Sequence, residues 1–210
     1  MSFTPQRHKH VHFFHDDLPP DLVFKHSVAI DTETMGLNLN RDRLCLVQLC
    51  DGMETYLVKM SHPILPAPHL KKLLLNQSVE KIFHFGRFDL ASLYAGLGVM
   101  CEGPIYCTKV ASKLVRTFSD RHGLRVLCRE LLGTDISKEE QSSDWGAEGL
   151  TDGQKRYAAS DVIHLHALRA RLEAMLRREN RYELFQSICR FLPTRARLDL
   201  MGFDLDIFAH

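Results

Sequence analysis

The segment Val28-Ala29-Ile30-Asp31-Thr32-Glu33 constrains the fold most strongly, because a short apolar run rich in β-branched residues leads directly into two acids. Such a run is typical of a buried strand. Residues two apart on a strand point to the same face, so Asp31 and Glu33 stand side by side. Their charges repel, and Mg²⁺ or Mn²⁺, which prefer oxygen ligands, would remove that cost. The segment therefore favours a metal site, and the alternative is a strand ending in a solvated acidic turn.

The composition predicts one globular domain over residues 1–210. Since 27 Lys and Arg balance 26 Asp and Glu, a protein that coats long duplexes is disfavoured, whereas a short nucleic-acid contact stays open. No apolar run has the length of about 18 residues that a membrane span needs, and no signal-peptide core precedes the domain. The six cysteines lack zinc-site spacing, so we expect reduced thiols in the cytoplasm.

The order of elements follows from apolar periodicity and turn residues. Strands are predicted at 28–33, 43–50, 55–58, 81–85 and 104–107, and helices at 68–76, at 87–94 and from 108 onward with breaks at Gly123 and Gly133. Residues 134–150 are predicted to form a loop. A meander followed by alternating strands and helices predicts an α/β fold with a mixed five-stranded sheet flanked by helices.

A long helix is predicted from about Thr151. Its apolar stripe follows steps of three and four residues: Tyr157, Asp161, Leu165, Leu168, Leu172 and Leu176. Asp161 thus lies on the inward face, where an unpaired carboxylate is costly and needs a partner. The alternative is an acid at the edge of the stripe that pairs with a surface Arg or Lys.

A further acid, Asp89, falls in the first turn of the helix that follows the fourth predicted strand. The helix dipole favours a carboxylate at that position. An α/β core would bring it near the other acids, and the alternative is an ordinary N-terminal helix acid.

The two terminal segments differ in character. Residues 1–17 are polar and carry His8, His10, His12 and His15, and we expect a loosely packed or mobile arm, with transition-metal capture by the alternating histidines as the alternative. Residues 192–210 are apolar for a tail, so they should dock on their own domain or on a neighbouring subunit, and we favour the subunit.

Three segments together resemble the DEDD superfamily of 3′-5′ exonucleases, in its tyrosine-bearing branch. They are Asp31-Thr32-Glu33, the segment from His84 to Asp89, and Tyr157-Ala158-Ala159-Ser160-Asp161. Within the superfamily the chain is most similar to ribonuclease D, including Ser143-Asp144-Trp145, and to the short bacterial nanoRNase C group, including the tail Leu198–Phe203. The resemblance implies a ribonuclease H-like, DnaQ-like exonuclease fold. Typical ribonuclease D carries additional C-terminal RNA-binding domains, for which this chain is expected to be too short.

The resemblance also implies a chemistry and an assembly. It implies a metal-dependent exonuclease that degrades short single-stranded RNA down to dinucleotides, with two divalent ions, Mg²⁺ or Mn²⁺, as an octameric ring. Asp31 would bridge both ions, Glu33 and Asp161 would hold the ion that binds the attacking water, and Asp89 would act on the other ion. Tyr157 would orient the water, since a phenol with a pKa near 10 suits a positioner better than a base.

Substrate contacts are predicted from residues beside the motifs. They are Thr32, Met35, Gly36, Leu37, His84, Phe85, Arg87, Lys138, Gln141 and Trp145. An apolar side chain after the first motif could lie against terminal bases, and Trp145 could stack on a base. For the apolar residues, ordinary packing is the alternative.

Two other functions stay open at this point. A DNA exonuclease for repair or proofreading would use the same acids, and single-stranded DNA would then be the substrate. A catalytically silent nucleic-acid-binding module is disfavoured, because all four acids and the tyrosine are present.

Overall fold

The computed structural model describes residues 10–137, 143–203 and 207. The strands of one six-stranded sheet are β1 (Val11–His15), β2 (Ser27–Thr34), β3 (Leu44–Cys50), β4 (Thr55–Lys59), β5 (Glu80–Phe83) and β6 (Ile105–Cys107). The helices are α1 (Pro68–Leu75), α2 (Gly86–Leu97), α3 (Thr108–Val115), α4 (Leu124–Leu127), a π-helical turn (Cys128–Leu132), α5 (Asp152–Ile163), α6 (Leu165–Arg178) and α7 (Tyr182–Leu200).

The sheet has the strand order β1-β4-β3-β2-β5-β6. The predicted meander of β2, β3 and β4 is antiparallel, whereas β5 and β6 continue the sheet in parallel. Every residue of β3 and β4 is buried, because α5 and its neighbours cover these central strands. The mixed α/β fold predicted from the sequence is therefore confirmed, and the sheet contains one strand more than the five expected.

The additional strand lies in the segment expected to be a loose arm. Residues 11–15 pair in parallel with β4, so that part of the expectation is wrong. His12 contacts Glu54 at 3.0 Å and stacks on Tyr56, with ring centroids 5.2 Å apart. Because these contacts involve polar residues, the segment does not show the alternation of apolar residues that predicts a strand. Among the described residues, no histidine joins a group of three side chains able to hold a metal.

The predicted long helix is two helices, α5 and α6, that meet at His164. Its predicted start is confirmed by a capping box, in which Thr151 and Gln154 exchange hydrogen bonds. The four leucines of the stripe are fully buried, as predicted. Neither Gly nor Pro marks the break, so periodicity alone could not locate it.

The C-terminal segment docks on its own chain through α7, which packs against α2. Leu192 and Ala196 are buried, and Asp199 pairs with Arg87 at the start of α2. The favoured expectation of a subunit contact is thus not what positions residues 192–200. Beyond α7, Met201 and Phe203 are exposed. No helix in the described parts of the chain is long and apolar enough to cross a membrane.

Candidate active site

The end of β2 supplies the first two acids of the site. Asp31 faces Gln48 of β3 across the antiparallel ladder, and the register shifts between Glu33 and Thr34 where the strand leaves the sheet. Asp31 and Glu33 have carboxylate oxygens that lie, together with one from Asp161, within 4.8 Å of one another. The predicted side-by-side arrangement is therefore present, and a third acid from a distant segment completes it.

Helix α5 brings Asp161 and Tyr157 to β2. Because the two residues are four apart, they lie on the same face of the helix. The ring of Tyr157 packs beside Trp145, with centroids 6.0 Å apart. Asp161 thus faces inward, as predicted, and its neighbours are the carboxylates of β2 rather than a surface cation.

Asp89 approaches from α2 and is not part of the three-carboxylate cluster. It is buried, and its Oδ1 accepts a hydrogen bond of 2.8 Å from the Thr32 hydroxyl. The charge of Asp31 raises its pKa further beyond the effect of burial. Thr32, predicted to contact substrate, is buried and instead holds this acid in place.

Burial raises the pKa of all four carboxyl groups, and neighbouring charge raises it further in Glu33, Asp89 and Asp161. Glu33 is affected by the charges of Asp31, Asp161 and Asp89 together. The repulsion among these acids is relieved either by partial proton uptake or by a bound cation. The all-oxygen donor set of Asp31, Glu33 and Asp161 fits a hard divalent ion such as Mg²⁺ or Mn²⁺.

The phenol of Tyr157 keeps its proton in this site. Burial raises its pKa, and the charges of Asp161, Glu33 and Asp31 raise it further. The phenol therefore stays protonated near neutral pH, which supports a positioning role over that of a base.

The acids open onto a cleft of about 650 Å³. Its wall includes Leu37, His84 and Phe85, which were predicted to contact substrate, and Leu37 is 86% exposed. The His84 Nδ1 hydrogen-bonds the Thr108 hydroxyl at 2.9 Å, and burial together with Lys109 lowers the pKa of His84 to about 3. His84 is thus neutral and offers the cleft a polar group without charge.

Phe85 adopts an unusual backbone conformation beside the cleft. Its φ of 70° lies in the left-handed region, which costs free energy for a residue with a side chain. The ring is 44% exposed, and the Lys109 ammonium lies 3.9 Å from its centroid. Strain that aims an aromatic ring into a cleft is typical of a binding site.

Other predicted contacts have different outcomes. Trp145 is only 4% exposed and its ring packs beside that of Tyr157, so ordinary packing applies and not stacking on a base. Arg87 is paired with Asp199. Met35 is exposed, and Gly36 is kept small by Asp42, whose Oδ2 would lie 2.4 Å from an added Cβ. Lys138 and Gln141 lie outside the described residues.

The sequence analysis missed Gln48 and a row of basic residues. Gln48 is fully buried, and its Nε2 donates to Asp31 Oδ2 at 3.4 Å. Arg121, Arg125 and Arg129 are exposed and line the cleft. Arg125 lies in α4 and Arg129 in the π-helical turn that follows it, whereas Arg121 precedes α4. Nothing in the apolar pattern of β3 distinguished Gln48.

The family assignment agrees with this geometry. Residues 16–177 match the family described as 3′-5′ exonuclease. The chain therefore belongs to the 3′-5′ exonuclease family. The predicted resemblance is confirmed, and the acidic cluster, Asp89 and Tyr157 all lie within the matched exonuclease region.

Curated relatives match this exonuclease over part of their length. Ribonuclease D of Gluconacetobacter diazotrophicus is 35% identical over 156 residues, or 74% of this chain and 39% of that protein. DNA polymerase I of Aquifex aeolicus is 37% identical over 147 residues, or 70% of this chain and 24% of that protein. The exonuclease thus spans less than half the length of these relatives.

A solved structure matches nearly the whole chain. Brucella melitensis NrnC bound to pGG is 51% identical, with a TM-score of 0.91 over 95% of this chain and 98% of that one. The same Brucella protein with bound Mg²⁺ is similar at 50% identity and the same TM-score. The arrangement of elements around the acids is thus shared with that nuclease.

We expect Asp31→Asn to stabilise the metal-free exonuclease. The substitution removes one charge from the half-buried cluster, and a gain of about 1 kcal/mol would raise the Tm by roughly 2–4 °C at this chain length. Mg²⁺ should stabilise the wild type and have little effect on the variant, because the ligand set is broken. Thermal unfolding in chelator and in Mg²⁺ measures both effects.

Asp152→Asn is the matched control, because this acid of α5 is exposed. It should leave the Tm nearly unchanged and preserve the response to Mg²⁺. A lower Tm of Asp31→Asn in chelator would contradict the expected repulsion.

Proposed function

We propose that the chain is a metal-dependent 3′-5′ exoribonuclease that releases nucleoside 5′-monophosphates from short single-stranded RNA, down to dinucleotides. The observation that carries the proposal is the cluster of Asp31, Glu33 and Asp161 beside Tyr157, at the base of a cleft. The chain is similar to NrnC bound to pGG over nearly the whole of both chains, and this likeness supports a short RNA as the substrate. Residues 1–210 would act as one exonuclease domain.

The four acids would bind two divalent cations. Asp31, Glu33 and Asp161 would contribute oxygen ligands directly, and Asp89, fixed by Thr32, would act on the second ion. When bound, such ions neutralise charge on the scissile phosphate, activate a water and assist the departing oxygen. Gln48 donates to Asp31 Oδ2 and would keep that carboxylate in one orientation.

In the reaction a water oxygen attacks the phosphorus of the phosphodiester that precedes the 3′-terminal nucleotide. The bond from this phosphorus to the 3′ oxygen of the preceding nucleotide breaks, and the 5′-monophosphate leaves. The protonated phenol of Tyr157 would hold the attacking water by a hydrogen bond. The neutral His84 would contact a base or sugar without adding charge. Leu37 and Phe85 would lie against terminal bases, because both present exposed apolar surface at the cleft.

Cationic side chains would bind the phosphates. Lys109 and the three arginines at positions 121, 125 and 129 line the same cleft as the acids. A locally basic wall explains how a chain of formal charge +1 could attract RNA. Six buried free cysteines agree with a reducing, cytoplasmic location, which we also propose.

A DNA exonuclease is the second candidate, because a DNA polymerase I is among the relatives. The acids do not discriminate between the two substrates, since contact to the 2′-hydroxyl decides between RNA and DNA. RNA is favoured by the likeness to ribonuclease D and to NrnC.

A time course on 5′-labelled substrates tests the proposal. We expect rapid cleavage of pGG with Mg²⁺ or Mn²⁺, slower shortening of a 20-nucleotide RNA, and no cleavage with chelator. Asp31→Asn should lose turnover while it retains RNA binding. Preference for a matched DNA would favour the second candidate, and absence of metal-dependent cleavage by the wild type would refute the enzyme.

We expect Tyr157→Phe to lower kcat by about 10²-fold or more, because the hydroxyl that orients the water is lost. The KM for pGG and the stabilisation by Mg²⁺ should change little, since the aromatic ring and the carboxylates remain. Steady-state kinetics with thermal unfolding checks both. A raised KM at unchanged kcat would instead assign Tyr157 to substrate binding.

A homo-oligomer, with an octameric ring as its form, would close the cleft into an interior that limits substrate length. The exposed apolar residues Met201, Phe203 and Ile207 support a contact between copies beyond the end of α7. Light scattering at micromolar concentration should give the octamer mass, and a monomer mass would contradict the ring.

A further inference from the structure

Three consecutive main-chain carbonyls, those of residues 144–146, each accept a hydrogen bond from a side chain anchored elsewhere in the fold. Gln154 Nε2 donates to Asp144 at 3.3 Å, and Lys59 Nζ donates to Trp145 at 2.5 Å. Arg43 Nη2 donates to Gly146 at 3.2 Å. The donors come from α5, from the end of β4 and from the residue before β3, so the segment is tied to three elements at once.

The segment lies directly behind the tyrosine of the site. Trp145 belongs to a small apolar cluster with Leu46, Leu57 and Ala158, and Tyr157 packs against that cluster. On its other side the Gly146 backbone touches Met35, whose sulfur would lie 2.2 Å from an added Cβ. Residues 144–146 therefore lie between Tyr157 of α5 and Met35 in the loop that follows β2.

Lys59 is the donor that packing alone explains least. Its side chain is almost fully buried, at 5% exposure, and burial lowers its pKa. Removing an ammonium from water is costly, and a methionine or leucine would fill the same space without that cost. A charged donor, however, makes a stronger hydrogen bond to a carbonyl than a neutral one does.

We propose that Lys59 is a positioning residue for the reaction: its bond to the Trp145 carbonyl, with those of Arg43 and Gln154, seats the indole that fixes Tyr157 beside the carboxylates. Lys59 contacts neither substrate nor reacting atoms and acts through Trp145. The inference rests on the proposed function, because it takes Tyr157 as the residue that orients the attacking water.

The chain contains its own reporter of this arrangement, since Trp145 is its single tryptophan. In Lys59→Met we expect the emission of Trp145 to shift to the red and acrylamide to quench it more strongly. The kcat for pGG should fall about 10- to 100-fold, as expected for a misplacement of the order of 1 Å. KM should stay within about threefold, and Lys59→Arg should recover most of kcat, because it keeps a cationic donor.

Lys81→Met is the matched control. Lys81 is also a fully buried lysine, and its ammonium donates to the carbonyls of Asn76 and Glu102, neither of which lines the site. Lys81→Met should lower the free energy of unfolding by about as much as Lys59→Met does. It should leave the Trp145 emission and the kcat of the folded enzyme unchanged.

Several results would overturn the inference. They are an unchanged kcat in Lys59→Met, an unchanged Trp145 emission, or an equal loss of kcat in Lys81→Met. If Lys59→Met does not fold, Arg43→Met removes the bond to Gly146 and faces the same criteria. A wild type that does not cleave pGG would defeat the proposed function, whereas the emission of the variants would still decide whether Lys59 seats Trp145.

Discussion

Repulsion among closely spaced carboxylates is the constraint on which the rest of the structure depends. Carboxylate oxygens of Asp31, Glu33 and Asp161 lie within 4.8 Å of one another, and the charge of Asp89 also acts on Glu33. This repulsion opposes folding when no cation is bound. The fold must therefore supply the free energy that holds them together. It does so by placing each acid on β2, α2 or α5, and each of these elements also buries apolar residues in the core, such as Ile30, Leu90 and Val162.

The parts of the site that could be predicted from sequence are those encoded in local spacing. The two-residue period of a strand placed Asp31 beside Glu33, and the four-residue steps of a helix placed Asp161 inward with Tyr157. Both predictions rely on backbone geometry that neighbouring residues determine. The order of three strands and the capped start of α5 followed from the same kind of signal.

What could not be predicted depends on partners distant in the chain. Strand β1 is stabilised by pairing with β4. Its histidines are typical of a solvated arm, and only the fold shows that His12 contacts Glu54 and Tyr56. For Trp145 the sequence left stacking on a base and ordinary packing both open, because its partners Leu46, Leu57 and Tyr157 are distant in the chain. Gln48 sits in an apolar strand, and only the register with β2 reveals that it meets Asp31.

Arg87 illustrates how charge is distributed over the site. Its position before Asp89 suggested a contact with phosphate, yet Asp199 from α7 pairs with it and balances its charge. The end of α7 is thereby joined to the helix that carries the second motif. The cationic side chains that line the cleft are Lys109, Arg121, Arg125 and Arg129. Under the proposed function, phosphate attraction would fall to these residues and support of the second-motif helix to Asp199, so the basic residues could change without loosening the carboxylates.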